Sequence, residues 1–118
     1  MASAITQQQL EEAAAARAAV RAHLEALLGG DAVLALPVAP GPAPLLASST
    51  EEMERFRLKV LELTCPAGLA GLPQLSLPIA RVGGCPIGLG LVGPAGSDAA
   101  LLQLAERLMA ALGRGGQG

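Results

Sequence analysis

The residues of this chain that could do covalent chemistry are few and scattered. Five serines (Ser3, Ser48, Ser49, Ser76, Ser97), two cysteines (Cys65, Cys85), one lysine (Lys59) and one histidine (His23) are the whole inventory of nucleophiles and neutral-pH bases. A serine hydroxyl becomes nucleophilic only with a base within hydrogen-bond reach, and no local spacing here supplies that set. A cysteine nucleophile needs an electropositive setting and an oriented imidazole. His23 lies far from both cysteines in sequence, so packing cysteines and a surface histidine are the expectation. One histidine and two cysteines twenty residues apart also give no metal-ligand spacing, and no metal or cofactor is expected.

Composition narrows the remaining functions. The 118 residues are 52% hydrophobic, which excludes disorder over most of the length, and fit one domain with a core. Phe56 is the only aromatic residue, so the large rigid anchors of small cores and interfaces are missing. Such a core gains from contact with more protein. The 8 basic residues are spread along the chain and no aromatic is free to stack on bases, which excludes a nucleic-acid surface. Residues 63–97 carry a single charge, Arg81, but five prolines and a period of two in Leu75, Leu77, Ile79 and Ile87, Leu89, Leu91 describe buried sheet, not a membrane span. Residues 1–12 are polar and then acidic, without a secretory pattern, and the cysteines sit beside prolines in apolar context. Reduced thiols in a cytoplasmic protein are expected.

The elements that would position any site follow from periodicity. Thr6 caps a helix over 6–28 with Leu10, Ala13, Ala16, Val20, Leu24, Leu27 and Leu28 on one face, an Arg21–Glu25 pair on the outside and a stop at Gly29-Gly30. Ala32 to Leu36 reads as a short buried strand running into the rigid loop Pro37–Pro44. Ser49 and Glu52 form a capping box for a second helix, striped by Met53, Phe56, Val60 and Leu63 and halted near Thr64 by Pro66. A hairpin follows, strand 74–79, turn 81–84, strand 86–92, with its six large aliphatic residues toward a helical layer. Gly88 and Gly90 lie on the opposite face, where something must pack closely. Ser97 and Asp98 open a last helix with Leu101, Leu104, Leu108 and Leu112 as its stripe, Gly113 as its stop and a flexible tail over 113–118. Three helices and about three strands make an α/β arrangement in a single domain or fragment.

Four blocks of this sequence resemble the amidase-signature family. Leu63 to Pro78, with Ala67-Gly68-Leu69-Ala70-Gly71-Leu72-Pro73 at its centre, is similar to the family's small-residue turn entering a strand. Cys85 to Pro94 resembles its "LPVGLQLVG" strand, Gly96 to Leu102 its "GSDRALL" helix opening, and Asp31 to Pro44 its "DVLLTPTTPGPAP" strand and loop. The blocks occur in the family's order over residues 31–112. The resemblance implies the C-terminal portion of an α/β/α hydrolase that cleaves carboxylic amides with a Ser-Ser-Lys set. It also implies that this set lies upstream of everything matched, since none of the five serines stands in a Gly-Ser-Ser-Gly-like loop. No catalytic residue is carried over. By resemblance Pro37, Val38, Ala39, Thr64 and Cys65 are candidates for the wall of the acyl pocket, although Val38 and Ala39 stand where the family often has threonines. Thr64 has a plainer role open to it, satisfying a helix-end carbonyl. The expected partner is the missing catalytic portion or a second copy. The alternative is a non-catalytic interaction or scaffold module derived from that lobe.

Overall fold

A computed structural model describes residues 4–115. The order is α1 (Gln7–Leu28), β1 (Leu34–Pro37), α2 (Thr50–Ala70), β2 (Gln74–Val82), β3 (Cys85–Val92) and α3 (Asp98–Gly115), with one antiparallel sheet in the order β1-β3-β2. The capping residues do what their types dictate. Thr6 and Gln9 close one reciprocal capping box and Ser49 and Glu52 another, each satisfying amides the first helical turn leaves free. The Arg21–Glu25 pair forms at 2.8 Å.

Pro66 does not end α2, contrary to expectation. Helix continues to Ala70 with Pro66 inside it, at the cost of the bond a residue-66 amide would make to the Glu62 carbonyl. What holds the last turn is a Schellman motif. Gly71 is left-handed (φ 69°, ψ 30°), its amide donates to the Gly68 carbonyl at 3.2 Å, and the Leu72 amide donates to Ala67 at 2.9 Å. Arg17 of α1 adds a donor, its Nε reaching the Leu69 carbonyl at 2.9 Å. Ala67 and Ala70 are buried against Leu24, Leu28, Leu72 and Val92, and this packing offsets the missing hydrogen bond.

The two faces of the sheet are covered by different helices. Val92, Leu34 and Leu36 join the cluster under α1 and α2. Leu75, Leu77, Ile79 and Leu91 pack on Leu101, Leu104, Ala105 and Leu108 of α3. Leu89 and Ile87 were expected under the same helical layer but are not part of that cluster, and Ile87 lies instead beside Pro37, Leu63 and Val82. The cause is a break in register between Leu77 and Ala80 that turns the outer half of the hairpin. The hairpin itself forms, with a tighter turn than the sequence implied. Arg81 and Val82 pair with Pro86 and Cys85, and only Gly83 and Gly84, both at positive φ, make the reversal.

Other differences follow from the small number of elements. β1 begins at Leu34, alternates in burial and is an edge strand, because no further strand lies beyond it to bury both faces. Leu10, Leu27, Met53 and Leu112, expected on buried stripes, are exposed. The last helix passes through Gly113 to Gly115, with nothing near Gly113 to stop it, and residues 116–118 lie outside the described residues.

The whole is a plate of 56 × 44 × 18 Å with a radius of gyration of 17.2 Å. A compact chain of this length would have a radius of about 13.5 Å. The accessible surface is 8353 Å², whereas a self-contained monomer of 11.8 kDa exposes about 5,900 Å². Leu46 is fully exposed and Leu45 four-fifths exposed.

Candidate functional site

The sequence concentrates its unusual packing where the proline loop crosses β3. The Val38 amide donates to the Gly88 carbonyl at 3.1 Å, which prolongs the β1–β3 register by one residue past Pro37. Because hydrogen-bonded pairs alternate along an antiparallel ladder, Leu36 and Leu34 also face β3, and Ala35 and Pro37 face away from it. Pro37 therefore occupies a position where a missing amide costs the ladder nothing. The Val38 side chain then lies across the glycines. A Cβ on Gly88 would sit 2.5 Å from Ser76 Oγ and 2.7 Å from Val38 Cγ2, and one on Gly90 would sit 2.9 Å from Gln74 Nε2 and 3.1 Å from Val38 Cγ1. The close packing anticipated from alternate glycines is present, and the residues responsible are Val38, Ser76 and Gln74.

Two open apolar grooves flank this crossing. One, of about 480 Å³, is lined by Pro37, Ala39, Leu63, Val82 and Ile87, with Lys59 and Glu62 at its rim. The other, of about 440 Å³, is lined by Val38, Ser76, Pro78, Pro86, Ile87 and Gly88. Of the five residues expected to form a pocket wall, Pro37 and Ala39 share the first groove and Val38 faces the second. Thr64 and Cys65 line neither. The Thr64 hydroxyl donates to the Val60 carbonyl at 2.9 Å within α2, and Cys65 is exposed on the same helix. Gln74, Ser76 and Ile87 were not singled out from sequence. The signal for the first two was available in the pairing of the hairpin, which sets Gln74 and Ser76 on the glycine face.

No catalytic set assembles among the described residues. Lys59 pairs with Glu62 at 3.6 Å on the exposed side of α2. The Ser49 hydroxyl accepts from the Glu52 amide, and the Ser97 hydroxyl donates to the Pro94 carbonyl at 2.6 Å, so both serve local turns. Ser3 lies outside the described residues. His23 and both cysteines are exposed and the cysteines are unbridged. No group of three His, Cys, Asp or Glu side chains could hold a metal among the described residues, and no helix among them is long and apolar enough to cross a membrane. The one marked electrostatic feature is superficial. A hydrogen bond from Arg57, reinforced by its charge, holds the Glu54 carboxyl below the usual carboxylate range on the solvent face of α2.

A flat α/β segment with a proline loop over a glycine-bearing hairpin has counterparts among solved structures. A crystal structure of an amidase superposes with a TM-score of 0.72 at 34% identity, covering 91% of this chain and 26% of the solved one. Residues 1–102 match the family model described as Amidase. The rice protein Amidase 1 is 37% identical over 101 residues, 86% of this chain and 23% of the relative. Its namesake in Arabidopsis thaliana is 38% identical over 87 residues, 74% of this chain and 20% of the relative. A glutamyl-tRNA(Gln) amidotransferase from Methanothermobacter thermautotrophicus is 36% identical over 103 residues, 83% of this chain and 22% of the relative. The chain belongs to the amidase family. It spans about a quarter of the length of the relatives it matches.

Proposed function

We propose that this chain is the C-terminal segment of an amide hydrolase, supplying strands, buttressing helices and part of the acyl pocket wall to a catalytic portion that carries the nucleophile and its base. The observation that carries this reading is the surface excess. About 2,400 Å² separate the 8353 Å² exposed here from the surface of a self-contained chain of this mass. That amount is of the size an obligate partner covers. The role in the wall falls to Pro37, Val38 and Ala39, which present apolar surface to the two grooves. Thr64 is engaged with Val60 and acts within α2.

On this reading the chain contributes shape and exclusion of water, and no proton transfer. The test is complementation. Rice Amidase 1 lacking the stretch that aligns with this chain is mixed with the chain, and hydrolysis of a simple carboxylic amide is followed. Turnover by the mixture and by neither component alone is expected. Turnover by the chain alone that disappears in Ser49→Ala or Lys59→Ala would overturn the reading. The non-catalytic module differs in its surface, since a free-standing domain does not leave Leu45, Leu46, Met53 and Leu58 in water on one chain.

A further inference from the structure

The two edges of the sheet are not equally protected. β2 carries Pro78, a register break between Leu77 and Ala80, the exposed Ser76 and the charged Arg81, which are the devices that keep a strand edge from pairing. β1 carries none of them before Pro37. Leu34, Ala35 and Leu36 are uncharged and unbulged, and the register continues without a break to Val38. The alternation fixed by the Val38–Gly88 bond points the amide and carbonyl of Ala35, and the carbonyl of Pro37, away from β3 into the open edge. Ala35 is exposed, and α3 packs on β2 and β3, leaving the same side of β1 uncovered.

We infer that the outer edge of β1, centred on Ala35, is a docking edge whose occupant is an extended strand of the amidase catalytic portion. This rests on the reading that the chain completes a larger amidase. The occupant is chosen on two grounds. The relatives are about four times the length matched here, so the partner has chain to supply. The surplus surface exceeds what a strand alone would cover, so the strand must belong to a body that also covers the neighbouring apolar face. The Ala35 amide and carbonyl and the Pro37 carbonyl supply the main-chain bonds, and the small Ala35 side chain lets a partner approach.

The substitution Ala35→Pro separates edge from fold. It removes an amide that bonds nothing within the chain, at a position near a natural proline, and proline is tolerated at edge positions of this kind. Leu36→Pro removes an amide that faces β3. The far-ultraviolet circular dichroism of A35P is expected to match the parent chain while that of L36P loses structure. Binding to rice Amidase 1 lacking its aligned stretch is expected to weaken by about 100-fold in A35P, the worth of two or three strand hydrogen bonds. In the parent complex the Ala35 amide should exchange about 100-fold more slowly than in the isolated chain, while the Ser76 amide, on the outer edge of β2, does not change. If A35P itself fails to fold, amide exchange in the parent decides alone. A complex that forms with Ala35 unprotected, or that A35P forms within twofold of the parent, overturns the docking edge and leaves the reading of an amidase segment intact. Protection of Ala35 that grows with the concentration of this chain alone replaces the strand by a second copy and also overturns it. Absence of any complex removes both.

Discussion

Replacing Gly88 by alanine tests the packing on which the candidate site depends. The added Cβ would lie 2.7 Å from Val38 Cγ2 and 2.5 Å from Ser76 Oγ, where carbon contacts are comfortable at about 3.5–4.0 Å. Ser76 is exposed and can rotate away, but Val38 is β-branched, and its amide is tied to Gly88. Overpacking of this size costs about 1–3 kcal/mol. Removing a strand glycine returns about 0.5–1 kcal/mol through the unfolded chain. The net expectation for G88A is a loss of about 1–2 kcal/mol, which lowers a urea midpoint by about 1 M at a slope of about 1.5 kcal/mol/M. The midpoints must be compared at one protein concentration, since stability of an associating chain varies with it. The decisive arm is the double variant. V38A should remove the obstacle, so V38A/G88A should recover about 0.5 kcal/mol or more relative to the sum of the single changes. A G88A chain as stable as the parent, or strict additivity in the double variant, would refute the account of why glycine stands here.

Pro66→Ala should stabilise α2 by about 1–2 kcal/mol, because a residue-66 amide can then bond the Glu62 carbonyl and the ring clash is gone, against a smaller loss from a more flexible unfolded chain. A thermal midpoint that falls instead would mean that the proline shapes the packing of Ala67 and Ala70. Gly113→Ala, in an open helical position with nothing within 4 Å, should gain about 0.5–1 kcal/mol and raise helicity measured by circular dichroism. No gain would mean that α3 does not extend past Leu112 in solution.

Local chemistry made much of the fold legible. Ser49 and Glu52, or Thr6 ahead of a long alanine-rich stretch, announce helix starts through side-chain geometry that needs no tertiary context. The hairpin was legible from the period of two and from Gly83-Gly84, the pair of residues that can both adopt positive φ. What misled was Pro66. Proline breaks helices by propensity, yet the Schellman motif at Gly71 and the burial of Ala67 and Ala70 outweigh it. The extents of burial were not legible either, because Leu10, Leu27 and Met53 carry the periodicity of a core that three helices and three strands do not complete. At the site, alternate glycines foretold close packing. That Val38 and Ala39 face different grooves depends on the β1–β3 register, which no local pattern encodes.

That this chain exposes surface which another body covers is tested most directly by the state of the isolated chain. The 18 Å plate leaves Leu45, Leu46, Met53, Leu58 and Leu61 in solvent, and each 100 Å² of apolar surface so exposed forgoes about 2.5 kcal/mol of burial. Light scattering combined with a hydrophobic-dye titration reads the consequence in one sample. An oligomer, or a monomer that binds the dye strongly, is the expected result. A compact monomer that binds no dye and melts cooperatively would contradict it.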